Sequence, residues 1–236
     1  MRGYTGKILQ VDLSKNKTHV EPLNQKWAEM FVGGKGLGAR YLYEYLKPKT
    51  DPLSPANVLI FMTGPLTGTD PHPPAAAKGV VVTKSPATHT FLDSYFGGNF
   101  MAEMKFTGFD GIIIHGKANE LSYLLVKDGK AEIRDAKRLR GKGVYQSSDT
   151  IQKEVGDKKV KIAAIGPAGE NLVKFACICL ELHHKAGRGG SGAVMGSKNL
   201  KAVVVRGTNK VEVHDPEAWR EFVKETVKKE IIENPG

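Results

Sequence analysis

Cysteine is scarce in this sequence: Cys177 and Cys179 are the only two among 236 residues. On a strand they would share one face, too close along the chain for a disulfide of ordinary geometry. That excludes a disulfide scaffold and points to a reducing, cytoplasmic compartment. Two thiols are also too few for an ordinary iron–sulfur cluster, which takes four. No apolar run approaches the ~20 residues that a membrane helix needs. The opening "MRGYTGKILQVDL" turns polar too early for a secretory signal. Aromatic residues are few, at 8%, although the formal charge is +10. Nucleic-acid binders concentrate charge in a patch or interleave it with aromatics. Here the lysines spread along the whole chain, which reads as a solvated surface and no nucleic-acid partner. The seven histidines form no ligand set, and no Ser/His/Asp triad or carboxylate pair stands out. The chain therefore offers no catalytic machinery of its own.

What it has in quantity is glycine, 27 residues. The densest stretch is "HHKAGRGGSGAVMGSKNLKAVVVRG" (183–207). Around it the pattern alternates strands and helices. "GKILQVDL" and "KTHVEPL" predict an N-terminal hairpin, and "NQKWAEMFVGGKGLGARYLYEYLK" two helical pieces interrupted by Gly33, Gly34, Gly36 and Gly38. Val58–Met62 and Gly79–Thr83 predict strands flanking a Pro-rich loop. "SYLLVKDGKAEIRDA" is a hairpin about an Asp128-Gly129 turn. A short helix in "SSDTIQKEVG" precedes the strand "VKIAAIG". The tail is a helix with Asp215 as N-cap and Pro216 in its first turn, carrying the apolar stripe Trp219, Phe222, Val223, Val227 and Ile231.

An internal repeat organises these elements. "VLIFMTGPLTG" (58–68) resembles "VKIAAIGPAGE" (160–170), and "GGNFMAEMKFTGFDGIIIHGKAN" (97–119) resembles "GGSGAVMGSKNLKAVVVRGTNK" (189–210). The expected fold is α+β: duplicated strand–loop–strand–GG–helix–strand units with pseudo-twofold symmetry. The longer first copy carries the extra Pro-rich loop at 70–79. A doubled unit offers two equivalent grooves and could hold a doubled ligand.

The glycines admit three readings. "GRGGSG" (187–192) fits G-x-G-x-x-G, but a dinucleotide site needs a strand just before it and an acidic residue after the next strand. "HHKAG" intervenes, and the following strand closes on Arg206, suited at most to an NADP phosphate. A purely structural glycine turn is the second reading. The third is anion binding, in which glycine amides and helix starts point at phosphate oxygens with Lys185 and Arg188 supplying charge. "SYFGGNFMAEMK" (94–105) repeats the arrangement, which makes two phosphate cradles.

The segments "PLSPANVLIFMTGPLTGT", "VVTKSP", "AEMKFTGFDGIIIHGKA", "KVKIAAIGPAGENLVKFA" and "AGRGGSGAVMGSKNLKAVVVRG" together resemble the N-terminal domain of the tungsten-dependent aldehyde:ferredoxin oxidoreductases. The resemblance runs over residues 1–210 and implies a cofactor-binding domain there, with 211–236 beginning the next domain. It further implies a base carrying two pterin-dithiolene molecules that hold one tungsten or molybdenum, with magnesium bridging the pterin phosphates. Aldehyde and water would give carboxylate, with electrons leaving through a four-iron cluster to ferredoxin. Carried over by position, cofactor contacts fall on Lys78, Tyr95, Gly97 and Gly98, and on His184, Lys185, Ala186, Gly187, Arg188, Gly189 and Gly190. Tyr95 and Lys185 would meet magnesium through backbone carbonyls.

The sequence departs from the family pattern at three of these places. Lys78 stands where the family commonly has arginine, Tyr95 replaces an asparagine, and His184-Lys185 replaces Arg-Ala. A carbonyl contact survives any side chain, whereas lysine and histidine lack arginine's planar fork. That points to altered pterin contacts, another branch (the family includes a benzoyl-CoA-reducing relative), or a changed reaction. Cluster cysteines and substrate cavity belong to later domains in such enzymes. The expected partners are therefore those domains or a partner subunit, ferredoxin, and a second copy of the chain in a homo-oligomer, with no membrane.

Overall fold

The computed structural model describes residues 1–73 and 76–233; positions 74–75 of the Pro-rich loop and 234–236 of the tail lie outside them. Two six-stranded sheets form the frame. The first half supplies β1 (Lys7–Asp12), β2 (Lys17–Pro22), α1 (Gln25–Phe31), α2 (Gly34–Tyr45), β3 (Leu59–Met62), β4 (Gly79–Lys84), β5 (Phe91–Phe96), α3 (Phe100–Phe106) and β6 (Gly111–His115). The second half supplies β7 (Ser122–Lys127), β8 (Lys130–Asp135), α4 (Val144–Val155), β9 (Lys161–Ala164), α5 (Pro167–Glu170), β10 (Ile178–Leu180), β11 (His184–Ala186), α6 (Ser191–Ser197) and β12 (Leu200–Arg206). The tail forms α7 (Pro216–Val227).

Strand order is β2-β1-β6-β3-β4-β5 in one sheet and β11-β10-β9-β12-β7-β8 in the other. Read from opposite ends, the two orders are the same. In each, the hairpin joins the rest through one parallel pair, β1 with β6 and β7 with β12, and every other pair is antiparallel. The duplication is therefore larger than the expected unit. It includes the hairpins, an inserted helical segment, and one more strand (β5 or β11) directly before each Gly-Gly pair. Those strands escape a reading by apolar runs because β5 and β11 are edge strands with exposed alternate residues.

Period-2 alternation explains the layering. Leu9, Val11, Leu59, Phe61, Val81, Ile112 and Ile114 face inward and join Leu124, Val126, Ala163, Val203 and Val205 of the other sheet in one buried cluster. Their neighbours Ile8, Ile60, Met62, Val80, Val82 and Ile113 face outward and pack beneath α1 and α2. Tyr123, Ile162, Ala164 and Val204 do the same against α4. Sheets buried on both faces read as continuous apolar runs, hence "VLIFM" and "GIIIH". The helices α3 and α6 fill the space between the sheets, α3 reaching β9 and β12 of the opposite repeat and α6 reaching β3 and β4.

Local chemistry sets the turns. Asp128 and Gly129 take φ of 43° and 82°, as a two-residue I′ hairpin requires. Gly34, Gly36 and Gly38 lie inside α2 rather than interrupting it. At Gly36 a Cβ would stand 2.5 Å from the Phe31 carbonyl, and at Gly38 2.8 Å from Val82 Cγ2, so both permit close packing. Asp215 caps α7 as expected, accepting from Glu217 and Ala218 amides at 3.1 and 3.0 Å. Of its apolar stripe only Val223 is buried; Trp219 donates to the Pro71 carbonyl at 3.1 Å, and Phe222 is 58% exposed.

Candidate functional site at the Gly-Gly seam

β5 and β11 are the last strands of their sheets, and they meet. Their contacts run antiparallel along the seam, so Gly97-Gly98 lies at one end beside His184, the 187–188 segment passes the middle of β5, and Gly189-Gly190 lies at the other end beside Leu92 and Pro86. Ser85 Oγ donates to the Gly189 carbonyl at 2.7 Å, and the Arg188 amide donates to Ser94 Oγ at 3.3 Å. The His184 ring sits against Gly97 and Gly98. Lys78 directly precedes Gly79, which pairs with Phe96, so it enters the same corner. The site residues named from sequence thus lie along the β5–β11 seam, with Lys78, Gly97, Gly98 and His184 toward one end and Gly189 and Gly190 toward the other. Tyr95, Lys78, His184, Gly187 and Arg188 are exposed there, while Ala186 and Gly190 are buried. An edge strand leaves half its backbone groups unpaired, which frees polar groups on β5 and β11 at this seam.

The glycines divide into two kinds. Gly98 (φ 87°), Gly189 (φ 72°) and Gly190 (φ 82°) occupy left-handed backbone. A Cβ there would stand 2.6 Å from Glu181 Oε2, 2.3 Å from Leu92 Cδ1 and 2.0 Å from the Lys174 carbonyl oxygen, respectively. Protein already fills the space these three leave. Gly97 and Gly187 differ: a Cβ at Gly97 would first meet His184 Nδ1 at 3.4 Å, and at Gly187 nothing closer than 3.9 Å. Open space beside a backbone amide is what a ligand's approach needs. Amides of Gly97, Gly98, Gly187 and Gly189 donate to no protein acceptor among the described residues.

The helix starts are differently used. The Glu181 carboxylate, from the second repeat, accepts from the Phe100 amide at 2.9 Å and also from Asn99, while pairing with Lys161 at 3.0 Å. It therefore neutralises the positive end of α3. At α6 the Gly192 amide donates to the Ala176 carbonyl at 2.9 Å. The free donors belong to the loops ahead of the helices. Glu181 had no signal in sequence, because the contact joins residues about 80 positions apart.

The two basic residues of the second segment also separate. Lys185 stands across from Cys179 in the β10–β11 register, so its side chain lies on the outer face, beside the thiol, and Arg188 is the cation of the glycine loop. Burial and the neighbouring Cys177 thiol push Cys179 up to about 11. The dinucleotide reading fails on two counts. The strand before "GRGGSG" is the antiparallel β11, not the first strand of a parallel unit. Arg206 is already engaged, by Glu103 at 2.9 Å and Asp157 at 3.0 Å.

Three wholly buried lysines tie distant loops of the frame together. Lys105 Nζ donates to the Gly3 and Gly64 carbonyls at 2.6 Å each. Lys198 Nζ donates to the Gly116 carbonyl at 3.0 Å and to Asn57. Lys201 bonds the Lys142 carbonyl at 2.7 Å and Glu170. Burial lowers Lys105 to about 8, opposed by the Asp110 carboxylate, and lowers Lys198 to about 7. These lysines serve architecture. Among the described residues no three His, Cys, Asp or Glu side chains converge as a metal site. A cavity of about 800 Å³, lined by Arg2, Tyr4, Lys7, Asp128, Lys210 and Glu212, lies away from the glycine seam.

The chain is thus a duplicated α+β frame with unsatisfied loop amides along its pseudo-twofold seam. The family model described as "Aldehyde ferredoxin oxidoreductase, N-terminal domain" matches residues 8–207, and the chain belongs to that family. It is 49% identical over 97% of its length to the tungsten-containing aldehyde ferredoxin oxidoreductase of Pyrococcus abyssi, covering 37% of that protein. It is 40% identical over 95% of its length to the aliphatic sulfonate oxidoreductase, WOR-like subunit, of Pyrococcus furiosus, covering 38% of that protein. Among solved structures it matches the active-site complex BamBC of benzoyl coenzyme A reductase in complex with 1,5-dienoyl-CoA. That match has TM-score 0.94 and 41% identity over 99% of this chain and 36% of the other. The chain thus spans a little over a third of its relatives' length. No helix among the described residues is long and apolar enough to cross a membrane.

Proposed function

We propose that this chain is the cofactor base of a tungsten- or molybdenum-dependent oxidoreductase, with a bis-pterin ligand seated on the Gly-Gly seam. The observation that carries the reading is the placement of Gly187, exposed and with nothing closer than 3.9 Å to an added Cβ, on the edge that adjoins Gly97 of the other repeat, both with unsatisfied amides. The residues present fit the group: loop amides would donate to pterin phosphates, and Lys78 and Arg188 would balance phosphate charge. Carbonyls of Tyr95 and Lys185, on free strand edges, would be the magnesium contacts. When bound, the metal–dithiolene centre supplies the two-electron chemistry, and the protein binds, orients and tunes it. Aldehyde oxidation to carboxylate, a four-iron cluster and ferredoxin as acceptor would involve domains following the first 210 residues, with 211–236 leading into them. A cytoplasmic location accords with reduced thiols.

Substituting Gly98 and Gly190 would test packing rather than binding, because both face protein. The informative variant is Gly187→Val in the complete protein, whose side chain enters open space. Tungsten, molybdenum, magnesium and oxidised-pterin fluorescence would be measured in wild type and variant. Two pterins per metal are expected in wild type, with both lost in the variant while its circular dichroism remains that of the folded protein. Full pterin and metal content in Gly187→Val would refute the placement.

A second reading is the benzoyl-CoA-reducing branch, favoured by the TM-score of 0.94 to that complex and by Lys78 and His184 at the cofactor corner. Reduction of an aromatic acyl-CoA by the complete protein, with no aldehyde oxidation, would select it.

A further inference from the structure

β10 places Ile178 and Leu180 in the core between the sheets, so Cys177 and Cys179 share its opposite, outer face. Their sulfurs stand 3.9 Å apart, and both residues are half-buried and reachable from solvent. The corresponding strand of the first repeat, β4, turns Val80 and Val82 to that face, where α2 packs over them. In the second repeat the helix in the equivalent layer, α4, packs on β9, and Cys177 and Cys179 stay partly exposed. In the register of the repeats Cys179 takes the place of Val80 and Cys177 that of Lys78, so a thiol pair stands on the strand face that α2 covers in the first repeat.

The spacing suits a shared metal ion better than a bond between the sulfurs, which would have to close from 3.9 Å to about 2.05 Å across a single intervening residue. With metal–sulfur bonds of about 2.3 Å, the observed separation subtends an angle of about 115° at the metal, near trigonal. No third His, Cys, Asp or Glu converges on the pair among the described residues, so a tetrahedral zinc site is not built. A soft cation content with few ligands is Cu(I), which thiolates select. Lys185, across from Cys179 in the register, sets a positive charge beside the complex, which two thiolates and one Cu(I) leave with a net charge of −1.

We propose that Cys177 and Cys179 form a surface bis-thiolate site for one Cu(I), its third position left to an exogenous ligand. Binding releases two thiol protons, forms two Cu–S bonds and changes no oxidation state. The site is independent of the pterin reading, since it lies on the outer face of the second sheet.

The test is an anaerobic titration of the reduced, purified 236-residue chain with Cu(I) buffered by a chromophoric chelator, followed by copper X-ray absorption. One Cu(I) per chain is expected, with two sulfur neighbours at thiolate distance. Cys177→Ser and Cys179→Ser should each weaken retention at least ~100-fold, with circular dichroism verifying their fold. Zinc added in equal amount should not displace the copper. Fewer than two sulfurs in the wild-type spectrum would overturn the site, whatever the variants do. So would copper retention undiminished in both serine variants, or displacement by zinc.

Discussion

Alanine at Gly190 and at Gly187 should have opposite consequences, although both lie in one glycine-rich loop. Gly190 has φ 82°, and a Cβ built on it would stand 2.0 Å from the Lys174 carbonyl oxygen. The left-handed conformation alone costs an L-residue roughly 1–2 kcal/mol. Relieving the overlap requires a backbone shift of about 1 Å in a packed region, where overpacking costs about 1–3 kcal/mol. Gly190→Ala should therefore lose about 2–5 kcal/mol. A domain of this size shifts by roughly 2–4 °C per kcal/mol, so the melting temperature should fall by roughly 4–20 °C. Gly187 is not left-handed and has open space beside it. Gly187→Ala should stay within ~1 kcal/mol of wild type, or gain slightly through the less flexible unfolded chain. Paired thermal melts by circular dichroism, supported by urea denaturation, would measure both. Equal losses for the two variants, or a Gly190→Ala melt within ~2 °C of wild type, would refute the division into packing glycines and ligand-facing ones.

Glu181→Ala should cost about 2–3 kcal/mol, since charge-assisted bonds to the α3 amides are worth more than neutral ones, and urea unfolding would show it; an unchanged midpoint would mean that the α3 cap is immaterial. Lys198→Met should destabilise by a similar or larger amount, because the carbonyls of Asn57 and Gly116 lose their buried donor; a stability equal to wild type would remove the lysine from the architecture. His115, half-buried with Nε2 2.8 Å from Gln10 Oε1, is lowered by burial and by Lys198 to about 4 from 6.5. Its unfolded form takes up a proton first as pH falls, so stability should drop between about pH 6.5 and 4, by at most about 3 kcal/mol. Urea midpoints across that range would test this, and His115→Gln should flatten that limb; a drop of the same size in the variant would assign it to other groups.

Much of the strand inventory is written in the sequence, since β-branched runs such as "GIIIH" and "KAVVVR" carry their own signal, and Asp128-Gly129 names its own turn. The repeat is also legible, because two Gly-Gly helices followed by three-residue aliphatic runs are a local pattern. Glycine density marked the seam, yet it could not say which glycines pack against protein and which face solvent. That depends on what stands opposite each Cα: Leu92 for Gly189, Lys174 for Gly190, open space for Gly187. The same holds for Glu181 capping a helix of the other repeat, for Arg206 held between two carboxylates, and for Lys185 turning its side chain toward Cys179. Sequence fixes what each short segment does alone, through periodicity, turn chemistry and caps. Only tertiary structure decides which segments share a surface, because those contacts join residues far apart in the chain and leave no periodic trace in it.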